Sequence, residues 1–402
     1  MHRLRLPLLF VLATVVIDAM GIGLIMPIMP DLIRDVRGGD LAEAALWGGI
    51  LSTAFAVMQF LCAPVIGNLS DSFGRRPVML VSLFAMMLDY LVMAVAGSIW
   101  LLLAARVVGG ITASTQATAS AWVADMSAPE RRATNFGLVG AAFGAGFVLG
   151  PLLGGALGEL GTRAPFYAAA LLVAANFLLG LAVMPETVTQ DRRRRFTWAR
   201  ANPLGALRQM TRLPGIAPLL AAYFLYSVAL YVYPAIWPYF TQERFGWTPR
   251  TIGLSLGLFG VAMALVQGGL IRVVLRRLGE RRTVVWGQVF DMGTFALLAF
   301  ITSGTAALIL TPLAALGAVV SPALQGIMSR KVGDDAQGEL QGVLTSVHAL
   351  SMIASPLLMA SVFSAFTRAD APVHLPGAPF LVSILLLAAG LALFARSRSS
   401  VA

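Results

Sequence analysis

The stretch that decides the fold runs Gly67-Asn68-Leu69-Ser70-Asp71-Ser72-Phe73-Gly74-Arg75-Arg76-Pro77. It is a short polar break in apolar sequence, with one largely apolar run at 45–66 before it and another at 78–97 after it. Each run is close to the roughly 20 residues that an α-helix needs to cross the hydrocarbon core of a bilayer. Asp71 and the Arg75-Arg76 pair therefore sit at the corner of a helical hairpin on a membrane edge. Charge pairs at such a place can hold one conformation closed and break in another. The plainer reading is a solvated loop whose arginines only set topology.

The same pattern extends in both directions. Apolar runs fall at 6–30, 45–66, 78–97, 99–124, 134–158 and 164–184, and a second six at 215–240, 251–275, 283–302, 304–329, 338–365 and 377–395. Of the 402 residues 58% are hydrophobic and 12% charged, against about a quarter charged in soluble domains. The expectation is an all-α integral membrane protein of twelve transmembrane helices. It has an amino-terminal six-helix bundle at 1–184, a linker at 185–213 marked by Pro185, the Arg192–Arg195 run and Asn202-Pro203, and a carboxy-terminal bundle at 214–402.

The net charge of +10 raises the question of nucleic acid, and the distribution of the basic residues answers it. Twenty-two lie in alternate loops and near both termini, among them Arg75, Arg76, Arg131, Arg132, Arg192 to Arg195, Arg281, Arg282 and Lys331. Six (Arg34, Arg37, Arg163, Arg244, Arg250 and Arg368) lie in the other loops, and Arg106 is inside an apolar run. By the positive-inside rule both termini and the central linker are cytoplasmic. The charge then sets topology in the lipid bilayer, and no nucleic-acid partner is expected.

The two halves look duplicated. Gly74 and Gly279, Gly137 and Gly342, and Pro151 and Pro356 each stand 205 residues apart in similar local sequence. A parallel repeat of six helices is one transporter architecture, with the substrate site near the membrane midplane between the repeats.

Several chemistries are excluded or disfavoured. Cys62 is the only cysteine, so no intramolecular disulfide or cysteine metal cluster can form. A Walker A loop needs Gly-Lys before Ser or Thr, and the only lysine, Lys331, follows Arg330. His2, His348 and His374 make no HExxH motif, so no metal site, cofactor or enzymatic activity is expected. Arg3 and Arg5 before the first apolar run resemble a signal peptide, but the run is too long and lacks a clear cleavage site, which favours a retained first helix.

What remains are charges inside apolar runs: Asp18 in VVIDAMG, Asp89 in MMLDYLV, Arg106 in LLAARVVGG and Asp291 in GQVFDMGTF. At a rise of 1.5 Å per residue the three aspartates lie roughly 18, 16 and 12 Å into their helices, which is mid-membrane depth. A charge there costs about 2.5–3.5 kcal/mol on insertion scales, so it faces a cavity or a partner. One reading is simple pairing with Arg106 or capping of a broken helix. The other is proton uptake and release, the chemistry that a proton-coupled carrier needs. With one arginine for three acids, pairing cannot serve all of them. Gly21, Gly23, Pro27 and Pro30 weaken the first helix, and Gly144, Gly146, Gly150, Pro151, Gly154 and Gly155 mark the fifth; small residues at such spacing permit close helix packing.

The 67–77 loop resembles the signature between helices 2 and 3 of the major facilitator superfamily. Arg106 through Gly110 resembles that family's helix 4 motif, and Gly146, Gly150, Pro151, Gly154 and Gly155 resemble the helix 5 motif of its antiporters. IDAMGIGLIMPIMP, SDSFGRRPVMLVSL, LDY, ERFGW, PALQG and GELQGVL are together similar to the bacterial tetracycline/proton antiporters. The resemblance implies that Asp18, Asp89 and Asp291 are the essential membrane acids and that Asp71, Gly74, Arg75 and Arg76 form a gate. It also implies a substrate pathway near Gln59 and Arg106, to which Thr112, Tyr231, Tyr233, Met263, Gln267 and Gln325 are added as candidates.

The chain departs from that pattern in places. Met263 stands where the family has histidine, Val232 replaces the glutamine before the helix 7 proline, Ser72 replaces the arginine after Asp71, and helix 4 reads ITASTQAT. Two lost polar groups and two added tyrosines point to a more apolar, aromatic cavity suited to other amphipathic drugs. The leading expectation is a monomeric antiporter of a bacterial inner membrane that exchanges protons for a drug-like small molecule. Export of an endogenous metabolite or sugar is a second reading and a non-transporting membrane sensor a third.

Overall fold

The computed structural model describes residues 5–113, 115–188, 193–198, 202, 203, 205, 215–333 and 336–397. Most of the expected linker and the basic residues Arg3, Arg192, Arg200, Arg208, Arg212 and Arg398 lie outside the described residues. Eleven continuous helical stretches are long and apolar enough to cross a membrane. The first six are α1 (Leu6–Arg37), α2 (Leu41–Phe73), α3 (Arg75–Val95), α4 (Ile99–Met126), α5 (Glu130–Gly158) and α6 (Ala164–Val183), followed by α7 (Ala217–Phe245). Next comes Pro249–Phe300, which at 52 residues would be about 78 Å long, more than twice a bilayer core. Gly279 divides it with φ 70° and ψ 165°, into α8 (249–278) and α9 (280–300). With α10 (Gly304–Lys331), α11 (Gln337–Thr367) and α12 (Ala378–Arg396) the count is twelve.

The two halves are built alike. Gly74 (φ 113°) makes the α2–α3 corner and Gly279 (φ 70°) the α8–α9 corner, a left-handed backbone that disfavours any side chain. Pro151 lies inside α5 and Pro356 inside α11. Regular hydrogen bonding is interrupted in every third helix: at the 3-10 turn Met26–Ile28 in α1, at Ala113 (φ −73°, ψ 59°) in α4, at Tyr231 in α7 and at the 3-10 turn Ala315–Val319 in α10. Interrupted backbone at membrane depth is tolerated only where protein or a water-lined cavity satisfies the freed groups.

By internal packing the chain forms two units. The first contains Met1–Gly38, Ala54–Pro203 and Pro249–Gly257, and the second Gly39–Thr53, Leu204–Thr248 and Leu258–Ala402. In the first unit α5 lies on α1 through its glycines. A Cβ added at Gly146, Gly150 or Gly154 would fall on the carbonyl oxygen of Val16, Met20 or Leu24 in turn. The two helices thus meet backbone to backbone at matching spacings of four residues, the close approach that small residues allow in lipid. Gly155 meets Pro249 and Gly253 of the first turns of α8 in the same way. In the second unit Tyr233, Trp237, Phe240, Phe295 and Phe380 form an aromatic core with ring centroids 5.0–6.2 Å apart.

Candidate functional site

Within the first unit, the candidate residues gather around Asp89. The α3–α4 hairpin brings Arg106 onto it as a buried ion pair, with Asp89 only 7% exposed. Asp89 also lies against Gly109, where a Cβ would be 3.0 Å from its Oδ2. The Arg106 guanidinium sits 5.2 Å from the Phe55 ring centroid on α2 and donates to Met93 Sδ at 2.8 Å, so its planar face and its edge are both used. Tyr90, next to Asp89, places its hydroxyl where a Cβ on Gly21 would be, one turn from Asp18 on α1. Asp18 itself is half-buried.

Gln59 meets the break in α4. Its Nε2 donates to the carbonyl of Ala113 at 3.2 Å, supplying a partner at a point where the helix supplies none. Thr112, the last residue of the first α4 segment, turns its hydroxyl back to the carbonyls of Val108 (3.1 Å) and Gly109 (3.2 Å).

The second unit holds Asp291 on α9, 2% exposed. Its carboxyl occupies the space that a Cβ on Gly317 of α10 would need, which is why that turn carries glycine. The Tyr226 hydroxyl of α7 donates to the Gly317 carbonyl at 3.2 Å and lies within hydrogen-bonding reach of Asp291. Among the described residues no cation pairs with Asp291. Gln325 of α10 donates to Tyr223 and Ser321, each at 3.3 Å. Tyr233 is 8% exposed inside the aromatic core, Tyr231 is half-buried at the α7 interruption, Met263 is half-buried, and Gln267 is exposed in a π-helical turn, Val266–Leu270. The structure brings Asp291 close to Tyr226 and Gly317.

The α2–α3 corner forms a third cluster. Arg75 lies 2.6 Å from Asp71 and 3.1 Å from Asp125 at the end of α4, and donates to Ser70 Oγ at 3.1 Å. Glu186, just after α6, accepts from the backbone N–H groups of Arg75 (2.9 Å), Arg76 (3.2 Å), Thr187 (2.9 Å) and Val188 (3.0 Å). The Arg75 and Arg76 N–H groups are free donors of the first turn of α3, so a carboxylate there caps the helix at its positive end. The linker segment is tied to the same corner: Asn68 donates to the Thr197 carbonyl at 2.7 Å and the Arg194 N–H to that of Asp71 at 3.2 Å. A cavity of about 400 Å³ lies among Asp71, Arg75, Asp125, Thr187, Val188 and Arg194.

Asp125, Glu186 and Tyr226 of these clusters, and Gln288 of α9, were not among the site candidates drawn from the sequence. Asp125 and Glu186 stand at helix ends on the same predicted membrane face as Asp71, and Gln288 stands one turn before Asp291, so each had a positional signal. Tyr226 had none beyond being a hydroxyl in an apolar helix.

Twelve membrane-crossing helices in two similarly built halves, each with a buried aspartate inside an apolar spanning helix, define a polytopic membrane carrier. The chain belongs to the Major Facilitator Superfamily, whose family model matches residues 11–356 and 219–401. It is 42% identical to the tetracycline resistance protein, class C, of Escherichia coli, over 89% of this chain and 90% of that one. It is 41% identical to the class G protein of Vibrio anguillarum, over 90% and 91%. Among solved structures, the human organic anion transporter MFSD10 superposes with a TM-score of 0.68 at 26% identity, over 97% and 99% of the two chains.

Proposed function

We propose that this transporter is a proton-coupled antiporter of the bacterial inner membrane, with both termini cytoplasmic, that exports an amphipathic drug-like molecule by alternating access. The observation that carries this reading is the unequal treatment of the membrane acids: Asp89 is neutralised in place by Arg106, whereas Asp291 is sealed with hydroxyl and glycine neighbours and no cation among the described residues. An acid buried without a cation has only a proton with which to remove its charge. Taking up that proton on one side of the membrane and losing it on the other is what couples a carrier to a proton gradient.

In this scheme Asp291 carries the proton, and Asp18, Asp89, Arg106 and Gln59 line the substrate route. The Asp71–Arg75–Asp125 cluster, capped by Glu186, is the cytoplasmic gate. The names of the relatives make tetracyclines the first compounds to test, alongside more apolar amphipathic drugs favoured by Val232 and Met263. The test is transport by the purified chain in proteoliposomes with an imposed proton gradient. Accumulation of a panel member that collapses with the gradient supports the proposal; movement of every transported member independent of the gradient refutes proton coupling.

A further inference from the structure

The side-chain amide of Gln288 is fully buried at 0% exposure, and neither its Nε2 nor its Oε1 has a hydrogen-bond partner among the described residues. One helical turn on, Oδ2 of Asp291 is likewise buried and unpartnered. Residues three apart on a helix share a face, with Cβ atoms about 5–6 Å apart. A glutamine amide and a carboxyl can bridge that separation by side-chain rotation alone. Buried amides are nearly always hydrogen-bonded, so two unsatisfied polar groups on adjacent turns of one face call for a common explanation.

We infer that Gln288 is a positioning residue for Asp291, the neutral partner that serves the acid in both of its charge states. This rests on the reading of Asp291 as the proton carrier. An ionised carboxylate needs a donor and a protonated carboxyl needs an acceptor, and a glutamine amide presents one of each at the end of a single side chain. With Asp291 ionised, Nε2–H donates to Oδ2. When a proton binds Oδ2, the amide turns and Oε1 accepts from the new O–H. No bond to glutamine forms or breaks, and the proton stays on the aspartate. Tyr226 provides the complementary contact: its single hydroxyl proton can serve the Gly317 carbonyl, as it does here, or the Asp291 carboxylate, but not both. With the Asp291 proton on Oδ2 and hydrogen-bonded to Gln288, the tyrosine keeps its own proton directed at the Gly317 carbonyl. Neither Gln288 nor Tyr226 carries a charge, so together they stabilise both states without fixing either, which a nearby arginine would not permit.

The test uses the full chain in lipid and needs no substrate. Infrared difference spectra between acidic and alkaline buffers should show a protonated-carboxyl C=O band that disappears in Asp291→Asn. In Gln288→Met, which keeps the length of the side chain and removes the amide, that band should move to higher frequency through loss of a hydrogen bond. Gln288→Asn, with its amide one methylene shorter, should bring it part of the way back. If the methionine variant is not monodisperse, Gln288→Leu takes its place. An Asp291 band unchanged by loss of the amide overturns the role of Gln288 and leaves the proton-carrier reading standing. Absence of any Asp291-dependent band shows that Asp291 does not change protonation, and both fall.

Discussion

The Gln59 amide of α2 donates to the carbonyl of Ala113, the residue at which α4 leaves helical geometry, at 3.2 Å. A side chain on one helix thus completes the backbone of another. The interruption lies seven residues beyond Arg106, about two helical turns from the buried ion pair.

Gln59→Leu should therefore act through α4. Removing the donor leaves the Ala113 carbonyl without this partner, at an expected cost of about 1–3 kcal/mol. Thermal unfolding in detergent should show the loss, and transport should fall with it. Unchanged stability and transport would mean that the Ala113 carbonyl finds an equal partner elsewhere.

The Asp89–Arg106 pair is buried, so removing one partner strands the other charge. Arg106→Leu should destabilise by about 3–5 kcal/mol, whereas the Asp89→Asn and Arg106→Leu double variant should recover a substantial part of it. A double-mutant cycle on unfolding midpoints reads this directly; additive losses would show that the two charges are not coupled.

At the α2–α3 corner, Asp71→Asn, Asp125→Asn and Glu186→Gln should slow transport severalfold while leaving equilibrium substrate binding within about twofold, because these groups hold helix ends together. Binding titrations beside initial transport rates separate the two effects. A parallel loss of binding would place these residues in the substrate site.

Asp291→Asn should abolish accumulation driven by a proton gradient yet leave downhill substrate exchange measurable. Asp18→Asn should impair exchange as well. Asp291→Asn vesicles that still concentrate substrate under an imposed gradient would move the proton-carrying role to Asp18 or Asp89.

Selectivity should follow the two apolar replacements. Val232 is fully buried and Met263 half-buried, so Met263→His adds a polar group at a partly accessible position, whereas Val232→Gln would bury an amide at a cost of about 1–3 kcal/mol. Growth inhibition assays in a drug-sensitive bacterium should show weak protection against tetracycline by the native chain and stronger protection by Met263→His. Strong native protection, lost in Asp291→Asn, would show that these positions do not limit tetracycline export.

The sequence by itself determined the spans. Whether a run of about 20 apolar residues enters lipid is a local property, and a helix satisfies its own backbone, so twelve runs became twelve helices. The likeness of the α2–α3 and α8–α9 corners was legible for a related reason: Gly74 and Gly279 both turn with left-handed backbone, a demand that leaves its mark as glycine. The membrane acids were legible because a charge in an apolar run is conspicuous. What tertiary structure decided is which acid is neutralised and which is not. Asp89 rather than Asp18 or Asp291 receives Arg106, Asp125 and Glu186 converge on the α2–α3 corner, and Gln59 reaches Ala113. Those meetings depend on how each helix is rotated and how closely its neighbours approach. Both are set by packing such as that of Gly146, Gly150 and Gly154 against the α1 backbone, and no single run of sequence contains both partners.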